Sequence, residues 1–213
     1  MMRRTMVWPL LLMLAISRAA AQNTAAPNAA GEQYLNWTAA EAAAIAQSAY
    51  RKGRVGGRFD GRLLKTERAY NYKLAATLFT PRVIRASARV LQLGSRLSVD
   101  ATRALVAEAE AAGDIVVMIE IDPREGSGVI PPDWEAFLQP RGNAAAAVRG
   151  VNTPQLRTVK ALAGVLRRNY DYDRFWVVFP KSPELHTNAR AIELVVHIHE
   201  KEGRVEWPSA PGV

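Results

Sequence analysis

Cysteine is absent from this 213-residue chain. That absence excludes a disulfide framework, a thiolate metal centre and a lipid-modified cysteine after a leader. Long hydrophobic runs are missing too. The most extended one, Met6 to Ile16, is shorter than the roughly 20 apolar residues that span a bilayer core, and Arg18 follows it, so no transmembrane segment is expected once a leader is removed. Catalytic signatures are equally scarce. The glycine-rich stretch RKGRVGGRFDGR, with Gly53, Gly56, Gly57 and Gly61, lacks both the Gly-Lys-Ser/Thr of a phosphate loop and the spacing of a dinucleotide fingerprint. Ser127, in EGSG, lacks the flanking pattern of a nucleophile elbow. No cofactor is expected, and no repeat of about 20–50 residues is visible.

What the chain does carry, at its start, is a leader. Arg3 and Arg4 precede the apolar run, and Ala19-Ala20-Ala21 supplies a small-residue cleavage pattern, so residues 1–21 are expected to be a cleavable signal peptide cut before Gln22. The paired arginines lack the rest of a twin-arginine motif, which favours the general secretory route. The mature protein is therefore expected to be periplasmic or secreted. Residues 22–33 are expected to be a disordered linker, 34–207 a single globular domain and 208–213 a C-terminal tail. Net charge is +8 from 28 Lys+Arg against 20 Asp+Glu. Removing the leader's three arginines leaves 25 against 20, or +5. Arginines occur in every segment rather than in one aromatic-laced patch, which argues against nucleic acid as a partner. The excess is expected to be solvated surface suited to an envelope protein or an anionic envelope polymer.

Along the domain, Thr38-Ala-Ala-Glu41 has capping-box spacing ahead of an alanine-rich helix. Residues 63–80 alternate, with Tyr70, Tyr72, Leu74, Ala76 and Leu78 on one parity, as in a half-buried strand. Thr80-Pro81 caps a helix over Arg82–Leu93 that Gly94 closes, and a second helix runs from Ser98 to Ala112, ahead of Gly113. Asp114–Asp122 is apolar on both parities, as a central strand would be. Trp134–Leu138 is expected to be a short strand, Thr153–Arg168 is ambiguous, and Asp173–Pro180 is a core strand. Ala191–Glu200 turns through Glu202-Gly203 into Arg204–Trp207, a hairpin. Together these suggest an α+β fold, mainly an antiparallel β-sandwich of immunoglobulin-like general architecture, with a helical insertion between the first two strands. An open sheet with helices on one face is the alternative.

The succession YNYKLAATLFTPRVI, LSVDATRALVAEAEAAGDIVVMIEIDP, DWEAFLQPRG, YDRFWVVFPK and IELVVHIHEKEGRVEW resembles a group of uncharacterised exported bacterial proteins, over about residues 68–207. The resemblance is one of pattern, and it implies export without an activity.

Three groups of residues are candidates for a site. His197 and His199, two apart on a strand, would project from one face, and with His186 they could ligate a metal. Asp122 and Glu125, with His197, could serve as the acid and base of a hydrolase acting on an envelope polymer. Trp134, Trp176 and Trp207 could form a platform for a sugar or a protein, although Phe175 and Phe179 must share one face of their strand and Trp176 the other, so that one of those faces is core. None of these groups converges on a known motif. The expectation is accordingly a non-enzymatic binding or assembly domain of the envelope, with a hydrolase and a metal-binding module as alternatives.

Overall fold

The computed structural model describes residues 32–56, 72–111, 115–123, 130–158, 173–180, 182–186 and 191–208. The leader (1–21), most of the linker, Gly113, Glu125, Ser127 and residues 209–213 lie outside them.

A single 3-10 turn at Gln33–Asn36 leads into helix α1 (Ala39–Ser48), then strands β1 (Tyr50–Val55) and β2 (Tyr72–Phe79), and helices α2 (Pro81–Ser95) and α3 (Val99–Ala111). Strands β3 (Ile115–Pro123), β4 (Glu135–Pro140), β5 (Val148–Arg149), β6 (Val151–Asn152) and β7 (Asp173–Phe179) follow. One helical turn, α4 (Pro183–His186), precedes the hairpin of β8 (Ala191–Ile198) and β9 (Lys201–Pro208). Glu32 is ion-paired to Arg103 at 2.8 Å, and Pro208 ends the last strand.

Local chemistry accounts for the helix starts. The Thr38 hydroxyl accepts from the Glu41 amide and the Glu41 carboxylate accepts from the Thr38 amide, completing the capping box. The Thr38 amide and, second, the Thr38 hydroxyl both donate to the Glu41 carboxylate and hold it below its usual value. A depressed folded-state value means that this contribution to stability is present above the unfolded-state value and is lost as pH falls through the folded one. Thr38→Ala is therefore expected to flatten the acid limb of the stability profile between those two values, as read by helical circular dichroism against pH; an unchanged limb would contradict the assignment. At α2, the Thr80 hydroxyl accepts from the Val83 amide and Pro81 occupies the first turn. The helix then runs through Gly94 rather than stopping there, and Arg96, at φ 55°, takes the left-handed cap instead. Space around Gly94 is open, so nothing forces a stop.

Among the described residues the strands form one nine-stranded sheet in the order β5-β4-β8-β9-β1-β2-β3-β7-β6, and every pairing in it is antiparallel. Its two outermost strands are consecutive in the chain, joined by Gly150 alone. The segment Val148–Asn152 pairs with β4 on one side and β7 on the other, so the sheet curls into a nearly closed barrel. This corrects the sandwich expected from the sequence: the β-rich α+β class holds, but there is one curled sheet rather than two stacked ones. The helix pair α2 and α3 also falls between the second and third strands, because the basic stretch Tyr50–Val55 is itself a strand.

The barrel interior is packed with Leu74, Ile119, Ile121, Leu138, Leu194 and Phe179, all of them 1% exposed or less. A second core lies on the outside of β2, β3 and β7, where Phe79, Met118 and Trp176 meet Val83 and Ile84 of α2 and Val106 of α3. Cover on both faces explains why β2 is buried at all but one of its eight positions rather than alternating. Elsewhere most outward positions are polar, as at Glu135, Gln139, Glu193, Glu202, Arg204 and Glu206, with Phe137 and Val195 apolar among them. That is the reverse of a lipid-facing barrel, which is apolar outside. No helix among the described residues is long and apolar enough to cross a membrane.

Candidate functional site

Several of the residues that the sequence nominates lie within the described residues, and their surroundings differ. His197 stands on β8 in register with Glu135 on one side and Glu202 on the other. Its Nε2 lies 3.9 Å from a Glu202 carboxylate oxygen, and its ring meets Phe137 edge-on at 5.6 Å. His199 does not share that face. The strand ends at Ile198, and His199 enters the β8–β9 turn with φ 53°, so the two-residue period of the strand no longer applies to it. Its Nδ1 is 3.7 Å from Asp133. His186 closes α4, and its side chain is outside what the structure describes. No group of three His, Asp or Glu among the described residues is arranged to hold a metal ion.

Asp122, at the end of β3, accepts from Lys73 Nζ at 3.0 Å across the β2–β3 pairing. Glu125, its expected companion, lies outside the described residues. Trp176 and Trp207 are 3% and 4% exposed. Trp176 packs on Phe79 at 5.6 Å beneath the helices. Trp207 points into the barrel and donates its indole N–H to the Ala49 carbonyl at 2.6 Å. Neither ring presents a face to solvent. Phe175 and Phe179 do share the interior face, with Trp176 opposite.

Trp134 differs from the other two. It stands just before β4, half-buried, and its ring contacts Phe175 of β7 at 4.7 Å, bridging the seam where the barrel closes. Beside it the seam opens into a cleft of about 440 Å³, lined by Trp134, Glu135, Arg149, Gly150, Asn152 and Val177 among others. Across it Arg149 is paired to Glu135 at 2.7 Å. Gly150 is required here for space: a Cβ would lie 2.6 and 2.7 Å from Phe179 ring atoms. The Gly150 amide donates to the Ala136 carbonyl at 2.9 Å, and the Thr153 amide to the Trp176 carbonyl at 2.6 Å, which fastens the segment to both sides of the seam. Val151 and Asn152 are exposed at the rim.

On the outer face of β4, β8 and β9 the polar side chains are already committed to one another. Glu193, 3% exposed, accepts from Gln139 Nε2 and from Arg204 Nη1, each at 2.9 Å. The hydrogen bonds to Glu202 and then to Glu193 raise the Arg204 guanidinium above its usual value. A buried carboxylate satisfied in this way holds strands in register. The seam cleft, in contrast, combines an aromatic ring, a charge pair and a side-chain amide at an accessible surface. Of its polar residues the sequence pointed to none. Glu135, Arg149 and Asn152 come together only through the pairing of β4 with β5 and of β6 with β7, and Arg149 follows an alanine run with no motif around it.

Comparison of the chain with protein-family models, with curated proteins and with solved structures gives no match.

Proposed function

We propose that this chain is an exported, non-enzymatic binding domain of the bacterial envelope, and that it contacts a sugar unit of an envelope polymer at the barrel seam. The observation that carries this reading is the cleft at the seam, whose lining includes Trp134, Asn152 and the ion-paired Glu135 and Arg149. A sugar ring has one apolar face and a rim of hydroxyls. An indole accepts the face, and fixed carboxylate, guanidinium and amide groups accept and donate at the rim. The cleft volume of about 440 Å³ lies inside the range of small-ligand sites, about 300–1,000 Å³. Support for export is the leader at residues 1–21, whose removal starts the protein at Gln22.

Two measurements test the reading. N-terminal sequencing of the protein from fractionated native cells is expected to begin at Gln22 in the envelope or periplasmic fraction; an intact Met1 in the cytosol would end the export claim. Calorimetric titration with soluble disaccharide-peptide fragments of peptidoglycan is expected to show binding that falls at least about 10-fold in Trp134→Ala and in Arg149→Gln, roughly the loss of one good contact. No heat with the unmodified protein, or unchanged affinity in both variants, would overturn the assignment of the cleft.

A further inference from the structure

The mature chain's net positive charge is concentrated in one stretch of its sequence. Residues 51–73 carry eight Lys+Arg against two Asp+Glu, a net of +6, while the rest of the mature sequence carries 17 against 18. The ends of this span are β1 and the start of β2, which pair from Tyr50↔Thr77 to Val55↔Tyr72. Lys52, Arg54 and Lys73 occupy the outward parity, opposite to that of Val55 and Leu74 in the barrel core, and all three are exposed. Lys73 is paired to Asp122 at 3.0 Å. Among the described residues no carboxylate pairs with Lys52 or Arg54.

Register makes the arrangement costly in isolation. Arg54 stands directly opposite Lys73, and like charges in directly opposed positions destabilise a strand pair. Asp122 offsets part of that cost at Lys73, and a bound anion would remove the remainder. The helices that cover the other end of this outward face bury Ala75, Thr77 and Phe79 and stop short of the cations. In the ring of strands β1 is also the one farthest from the seam, with β9, β8 and β4 between them on one side and β2, β3 and β7 on the other. The cationic face and the cleft therefore lie on opposite sides of the barrel.

We infer that the outward face of the β1–β2 hairpin docks on an anionic phospholipid surface, with Lys52, Arg54 and Lys73 meeting headgroup phosphates. The inference rests on the reading of the chain as an exported surface-binding domain and adds a second contact to it. A linear polyanion is usually held in a groove that tracks its backbone. Here the cations stand on the outside of a strand pair, where a plane of headgroups meets all three together. With lipid on one side and glycan on the other, the domain would span the gap between a membrane leaflet and the polymer beside it.

Sedimentation of the mature chain, Gln22 onward, with vesicles of phosphatidylglycerol and phosphatidylcholine tests this. Binding is expected at low salt, falling as salt rises, and absent with phosphatidylcholine alone. Each cation near an anionic surface is worth about 5-fold in binding, so Lys52→Gln combined with Arg54→Gln is expected to weaken it about 25-fold. Both residues are exposed, and an unchanged circular dichroism spectrum confirms that the variant is folded. Trp134→Ala is expected to sediment like the unmodified protein. Equal binding to neutral vesicles, or undiminished binding by the double variant, overturns the inference. Binding to soluble polyphosphate with none to vesicles also overturns it and transfers the face to a linear polymer. Glycan binding without vesicle binding ends the lipid contact and leaves the seam reading intact; vesicle binding without glycan binding does the opposite.

Discussion

Replacement of Trp207 by alanine is expected to destabilise the fold by about 4 kcal/mol, within the range of buried Trp truncations. The ring is 4% exposed and fills the barrel interior beside Ile192, its cross-strand partner. Its indole N–H also ties β9 to the Ala49 carbonyl, where α1 passes into β1. Trp207→Phe separates the two contributions. It keeps most of the apolar volume and loses the hydrogen bond, while the Leu78 amide still donates to the Ala49 carbonyl at 3.3 Å. Because that carbonyl is not left unpartnered, the cost of Trp207→Phe should be near 1 kcal/mol, a typical net hydrogen bond. Urea unfolding measures both, and a loss below about 1 kcal/mol for the alanine variant would contradict the burial on which the prediction stands.

The second large effect is expected at Gly203. Val55↔Gly203 is the one register pair between β1 and β9, and the strands approach so closely there that a Cβ on Gly203 would lie 2.6 Å from the Arg54 carbonyl oxygen and 2.9 Å from Val55 Cα. Backbone atoms cannot swing aside as a flexible side chain does. Gly203→Ala should therefore cost about 3 kcal/mol, the upper end of ordinary overpacking. Gly53 faces the same crossing from the other strand, with the Arg204 carbonyl oxygen 2.7 Å from where its Cβ would stand. Gly94 supplies the control: it lies inside α2 with nothing within 4 Å, so Gly94→Ala should stabilise by about 0.5–1 kcal/mol through helix propensity. If both substitutions shift the urea midpoint in the same direction, the close approach of β1 to β9 is wrong.

These glycines also mark the limit of what the sequence disclosed. Features set by neighbours in sequence were legible: the Thr38–Glu41 box, the Thr80-Pro81 start, the doubly buried β3 and the pairing of β8 with β9 all depend on residues within one element or turn, although the hairpin turns at His199-Glu200 rather than at Glu202-Gly203. Features set by distant partners were not. Glycine is the commonest sign of a loop, so Gly53 and Gly56 conceal the strand at Tyr50–Val55; Gly53 is what lets that basic strand cross β9. The alternation in β2 suggested a half-buried strand, whereas α2 covers its outer face as well. The choice between a sandwich and a barrel turned on Gly150, whose meaning depends on Phe179 and Val177 many residues away. At the candidate site only Trp134 was nominated from sequence, since the ion pair and amide beside it are assembled by strand pairing alone.

The way Val148–Asn152 serves two neighbours has a consequence for how this chain resists unravelling. A ring of staves has no first or last member, so fraying has to begin at a joint, and the weakest joint is the one held by two short pairings either side of Gly150. Amide hydrogens along the facing edges of β4 and β7 should exchange with deuterium earlier than those of β2 and β3. A molecule seated beside Trp134 would act as a clasp on that joint, slowing exchange around the whole ring and giving a cysteine-free protein, when occupied, a reversible counterpart of a crosslink.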